Sequence, residues 1–167
     1  MNLQLKNIKV HHGLSQETLC FEASVYLEGK RIGTIANRGC GGANEIGISA
    51  TDVKRIESWL AKNQTYKGYD GETKPMNFEL WSFLEAERHT QEKDLKSKLK
   101  SKVLVMDDTC ELGEAWTWTF RNYDQSERGT IKGVTEHVEY SKDYKNPVVL
   151  NTMCFEDAYN KFYGEQS

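Results

Sequence analysis

The segment Asn37-Arg38-Gly39-Cys40-Gly41-Gly42-Ala43-Asn44 gathers three glycines, two amides, a guanidinium and a thiol within eight residues. Successive glycines let backbone N–H groups converge on an anion or a flat ligand, and Arg38 adds a bidentate fork. The segment lacks the GK[ST] of a P-loop. The helix expected after it starts too late for its N-terminus to meet a phosphate, which excludes the dinucleotide fingerprint as well. Two readings remain. In one, Asn37, Arg38, Gly39, Gly41, Gly42 and Asn44 contact a ligand or partner; in the other, the glycines merely permit left-handed backbone in a tight loop. The first is the working expectation.

Cys40 with His11 and His12 suggests a Cys-His nucleophile, because a neighbouring imidazole lowers a thiol pKa. No third, orienting residue accompanies them in sequence. His11, His12, Cys20 and Cys40 also lack metal-ligand spacing, and the four cysteines (20, 40, 110 and 154) contain no CxxC pair. Free thiols, no cofactor, no metal and no catalysis are therefore expected, with a Cys40-dependent enzyme as the third-ranked reading. Lys93, Lys96, Lys98, Lys100 and Lys102 follow Glu85, Glu87 and Glu92, a polarity that matches a helix dipole and reads as a solvated face. Together with Arg31, Arg38 and Arg55 these lysines form the alternative, a nucleic-acid interface, although two-residue spacing spreads side chains around a helix. Trp116, Trp118 and Phe120 alternate on one strand face. They are expected in the core rather than stacked on bases.

These residues sit in a chain of 167 residues that is 38% hydrophobic and 28% charged, enough for one compact domain. Lysine and arginine total 22 against 25 acidic residues, a formal net charge of -3 with a pI near 5.9, so no global field draws the chain onto nucleic acid or an acidic membrane. Six Phe, eight Tyr and four Trp argue for a folded chain despite a mean hydropathy of -0.70. No apolar run resembles a signal peptide or spans a bilayer, so a cytoplasmic protein without a membrane partner is expected.

The elements that position these residues follow from periodicity. Leu19, Phe21, Ala23, Val25 and Leu27 alternate with polar residues in a strand, and a turn at Glu28-Gly29-Lys30 leads to a partner over 31–36. Residues 3–10 make a third strand of this meander, with a bulge near Lys6-Asn7 where the apolar parity changes. Ser49 or Thr51 caps a helix carrying Val53, Ile56, Trp59 and Leu60. Residues 65–74 read as a turn-rich connection. Asn77 caps a helix, with Met76 and Trp81 placed as a hydrophobic staple, that runs to about Ser101. Strands at 103–106, 116–120 and 131–140 follow, the last on the parity of Val134, Val138 and Tyr140. A final helix with Phe155, Ala158, Tyr159 and Phe162 is opened by Asn151 or Thr152 and closed by Gly164. Phe21, Val25, Ile56, Trp59, Trp81, Leu84 and Phe155 are the expected core. The order β-β-β-α-α-β-β-β-α predicts an α+β fold with antiparallel sheets. It forms a single domain over 1–167 or two subdomains, 1–64 and 75–167, joined by 65–74.

The hairpin from Phe21 to Gly33 ahead of a glycine loop is similar in layout to a double-stranded RNA-binding domain. However, Ile48-Ser49-Ala50-Thr51-Asp52 stands where that family has a lysine-rich helix start, and the assignment fails. The chain more closely resembles small accessory proteins carried by phages and plasmids. The likeness rests on residues 21–44, on the lysine-rich helix running into Val103-Leu104-Val105, and on Val149-Leu150-Asn151-Thr152-Met153-Cys154-Phe155-Glu156-Asp157-Ala158-Tyr159. That group brings no established activity or site residues. It implies a mobile-element role, such as anti-defence, in which a viral protein blocks or sequesters a host factor in the host cytosol. The resulting expectation is a non-enzymatic binding protein that occupies a host protein or a small anionic ligand through the 37–44 loop.

Overall fold

The computed structural model describes residues 1–119 and 128–164. The fold is α+β with antiparallel sheets, and the chain forms two compact units, Met1–Thr90 and Gln91–Ser167. The division falls inside a helix rather than at residues 65–74. Those residues lie within the first unit and contain a small hairpin, β5 (Thr65–Lys67) with β6 (Thr73–Pro75).

In the first unit a four-stranded sheet runs in the order β1 (Leu3–Val10), β2 (Phe21–Leu27), β3 (Lys30–Asn37) and β4 (Glu45–Gly47). The expected meander therefore gains a fourth strand, supplied by the far end of the glycine-rich loop. The β2–β3 turn places Glu28 and Gly29 at φ of 50° and 77°, the pairing whose twist suits a two-residue hairpin. The bulge in β1 lies at Asn7, which has φ of 54°, and the register with β2 shifts between Lys6 and Lys9. It restores Val10 to the face of Phe21, so the apolar side of the sheet stays continuous.

That side buries Phe21, Ala23, Val25 and Ile35 against Ile56 and Leu60 of α1 (Ala50–Asn63), and against Phe78, Trp81 and Ala86 of α2 (Phe78–Ser101). Ser49, not Thr51, caps α1: its Oγ accepts from the Asp52 N–H and donates to the Asp52 carboxylate. Asn77 caps α2 by accepting from the Leu80 N–H, and Met76 and Trp81 are both buried in the same cluster. Of the expected core, Phe21, Val25, Ile56 and Trp81 are buried. Trp59, Leu84 and Phe155 are half-buried, because each sits at the margin of its helix's apolar stripe.

In the second unit β7 (Val103–Met106) is buried along its whole length between β8 (Trp116–Trp118) and β9 (Val148–Val149). Leu104 and Met106 pack on one side with Leu95 of α2 and with Ala158, Tyr159 and Phe162 of α4 (Phe155–Tyr163). Val103 and Val105 pack on the other side with Val134 and Val138 of α3 (Arg128–Tyr140). The strand expected at 131–140 is thus a helix. Val134 and Val138 share a parity, but they are also one helical turn apart, and Ile131 extends the same stripe while Tyr140 is 86% exposed.

Trp116 does not join the core either. It is 51% exposed on a three-residue edge strand, and Trp118 is half-buried; Phe120 lies outside the described residues. Cys154, not Asn151 or Thr152, caps α4, with Sγ accepting from the Asp157 N–H, and Gly164 closes the helix at φ of 88°. Asn151 instead accepts from the Leu104 N–H and donates to the Leu99 and Lys102 carbonyls, tying the end of α2 to β7. Among the described residues, no helix is long and apolar enough to cross a membrane.

Candidate functional site

β3 ends on Asn37, which faces the apolar side of the sheet and is buried. A buried amide must find partners, and Asn37 finds four. Its Oδ1 accepts from the Thr18 hydroxyl and the Gly39 N–H, each at 2.8 Å. Its Nδ2 donates to the Gly42 carbonyl at 2.9 Å and to Asn44 Oδ1 at 2.8 Å. The orientation of the amide is fixed by its neighbours: an N–H can only donate and a carbonyl can only accept. This single side chain closes the loop from residue 37 to residue 44.

Asn44 then fastens the loop to the first turn of α2. Its backbone N–H donates to the Glu79 carboxylate at 2.9 Å, and its Nδ2 donates to Ser82 Oγ at 3.0 Å and to the Glu79 carbonyl at 3.3 Å. Thr18, Glu79 and Ser82 are parts of the site that sequence reasoning missed. Their separations of 19, 35 and 38 residues from the groups they bond leave no local signal.

Gly39 is buried at φ of 81°, where a side chain would be strained and a Cβ would meet the Leu14 carbonyl. Its carbonyl oxygen receives the consecutive N–H groups of Gln16, Glu17 and Thr18 at 2.9, 3.0 and 3.4 Å. Convergent backbone donors of the kind expected to hold an anion do exist here, but they belong to residues 16–18 and a loop carbonyl fills them. The Gly39 N–H is engaged by Asn37, and the Gly41 N–H points at the Thr18 hydroxyl. Gly41 stands at φ of 79° beside the Glu17 carboxylate, while Gly42 has open space around it and no left-handed backbone.

The six expected residues therefore divide. Asn37, Gly39 and Asn44 hold the loop; Arg38, Gly41 and Gly42 are exposed, together with Cys40 and Ala43. The Arg38 guanidinium pairs with the Glu45 carboxylate, which raises the arginine pKa further. Glu17, Glu45 and Glu79 all lie at the loop against one guanidinium, so the local field does not attract an anion. Two large apolar side chains border the loop in the open: Leu14, 60% exposed, whose carbonyl lies at Gly39, and Ile46 of the edge strand β4, 39% exposed.

The Cys40 thiol is 3.7 Å from the Arg38 carbonyl, and His11 and His12 are exposed. Among the described residues, no three His, Cys, Asp or Glu side chains are grouped to hold a metal ion. Lys96 and Lys98 pair with Glu92 and Asp94 one turn back. Arg31, Arg38 and Arg55 belong to the first unit and the lysine run to the second.

Asp107, unremarked in sequence, is buried at the end of β7. It accepts from the Thr109 hydroxyl at 2.6 Å and from the backbone N–H groups of Thr109 and Lys145. These donors, the Thr109 hydroxyl foremost, hold its carboxyl well below the usual carboxylate range. No protein-family model, curated protein or solved structure matches the chain.

Proposed function

We propose that this chain is a non-enzymatic binding protein of a phage or related mobile element, which occupies a host protein through the exposed side of the 37–44 loop. One observation carries the reading: a loop braced by Asn37 and Asn44 leaves Arg38, Cys40, Gly41, Gly42 and Ala43 exposed, and the residues next to it, Leu14 and Ile46, expose large apolar side chains. A braced loop loses little conformational entropy on binding, and mixed apolar and charged character suits a protein surface. The filled backbone donors and the surrounding carboxylates speak for a protein partner over a small anion. The mobile-element role rests on the resemblance of residues 21–44, 103–105 and 149–159. Catalysis by Cys40 plays no part in this reading.

The test compares captured proteins from a bacterial host extract, identified by mass spectrometry, on immobilised wild type, Arg38→Ala, Ile46→Glu and a distant control, Lys62→Ala. A host protein retained by wild type and by the control, and weakened about tenfold or more by both loop variants, is the expected result. Equal retention on all four, or salt-sensitive capture of nucleic acid instead, would reject the proposal.

A further inference from the structure

The lysine run on α2 looks scattered in sequence, but it is sorted by the helix. At about 100° per residue, Lys93, Lys96 and Lys100 fall on one stripe and Lys98 on the opposite side. Lys98 is occupied there by Asp94 and by the ring of Phe162. On the first stripe, Lys96 and Lys100 stand at the rim of a cleft of about 500 Å3 within the second unit, walled by Leu99, Leu150, Met153 and Phe155. Among the described residues, no acidic side chain lines this cleft.

The Lys96 ammonium is held at the mouth, 4.5 Å from the centre of the Phe155 ring and 3.0 Å from the Glu92 carboxylate. Lys100, one turn further on, is exposed and makes no ion pair among the described residues. The remaining polar lining residue, Asn151, spends its amide on backbone groups of Leu99, Lys102 and Leu104. The cleft thus offers apolar walls and, at Lys100, a positive charge that no carboxylate among the described residues pairs, while the charge of Lys96 is met by Glu92.

We propose that this cleft binds a medium-chain aliphatic carboxylate, with its tail against Ile131, Met153 and Phe155 and its carboxylate on Lys100, beside Lys96. The volume falls in the range of small-molecule sites, about 300 to 1,000 Å3. The exposed ammonium of Lys100 selects an anionic head, and the half-buried side chains of Leu99, Ile131, Met153 and Phe155 offer the tail apolar surface. A protein partner would need apolar surface reaching beyond the cleft. None of the exposed large apolar side chains, Leu14, Ile46, Tyr69, Leu112, Trp116 and Tyr140, lines it. The site lies in the second unit and does not depend on the loop.

The test is a titration of the full chain with decanoate below its micelle range, followed by the methyl NMR signals of Ile131 and Met153. Saturable shifts are expected, with binding about tenfold weaker for Lys100→Glu and for decanol, which keeps the tail and lacks the charge. The decanol comparison uses wild-type protein and so stands even if the variant misfolds. Absence of saturable shifts, equal binding of decanol and decanoate, or an unchanged affinity in folded Lys100→Glu would overturn the proposal. So would a Leu/Glu amphipathic helical peptide that shifts these methyls when decanoate does not.

Discussion

Replacing Asn37 with alanine tests whether one amide organises the loop. The substitution removes four hydrogen bonds: from Thr18 Oγ1, from the Gly39 N–H, to the Gly42 carbonyl and to Asn44 Oδ1. The consequences differ by site. The Gly42 carbonyl belongs to an exposed residue, and the Thr18 hydroxyl and Asn44 are half-buried, so water replaces much of what they lose. The Gly39 N–H is buried and keeps no partner, at a cost of about 1 to 3 kcal/mol, and the other three bonds add about 0.5 kcal/mol each at the low end of net values. The expected loss is about 3 kcal/mol, a large share of a domain's stability.

Urea denaturation of wild type and Asn37→Ala measures it as a shift in midpoint at unchanged slope. Because the loop can open without unfolding the sheet, amide exchange at Gly39 and Gly41 is measured alongside, and both should accelerate even if the global loss is capped by local opening. Asn37→Asp sharpens the test. It keeps the acceptor but replaces Nδ2, with its two N–H donors, by a single oxygen facing the Gly42 carbonyl and Asn44 Oδ1. That environment disfavours the charged form and raises the carboxyl pKa of the folded state. The folded variant then binds more protons than the unfolded one, so its deficit should grow as pH rises through the carboxylate range and shrink in acid. An Asn37→Ala loss below about 1 kcal/mol with unchanged exchange at Gly39 would refute the bracing argument.

Gly39→Ala should lower the melting temperature clearly, since its φ of 81° and the nearby Leu14 carbonyl both reject a Cβ, whereas Gly42→Ala, with open space around it, should melt like wild type; equal melting would reject the assignment. Phe21→Ala should cost about 3 to 5 kcal/mol in urea unfolding, and Trp59→Ala, at a half-buried position, should cost less; the reverse order would mean the core is misplaced. Asp107 has a folded-state pKa below its unfolded value, so its contribution is complete above about pH 4 and is lost as pH falls from there. Asp107→Asn should therefore show a smaller fall in urea midpoint between pH 7 and pH 3 than wild type, and an identical fall would remove Asp107 from the acid response.

Features encoded over a few residues were legible in the sequence. The period-two run of β2, the turn at Glu28-Gly29, the parity change that marks the bulge at Asn7, the Asn77 cap and the end of α2 at Ser101 all depend on neighbours within about one turn or one hairpin. Residues 131–140 were ambiguous at that range. Val134 and Val138 satisfy both a strand and a helix, and only their packing on Val103, Val105 and Val149 of the three-stranded sheet selects the helix. Trp116 likewise has a core residue's chemistry, but its exposure is set by β8 being an edge strand, a property of strand order rather than of local pattern. The loop shows the same division most clearly. Its glycines and amides announce an unusual backbone. Whether its donors are free or spent was decided by Thr18, the amides of residues 16–18, Glu79 and Ser82, which reach the loop only once the sheet and α2 have assembled, because hydrogen bonds between residues distant in sequence exist only in the folded chain.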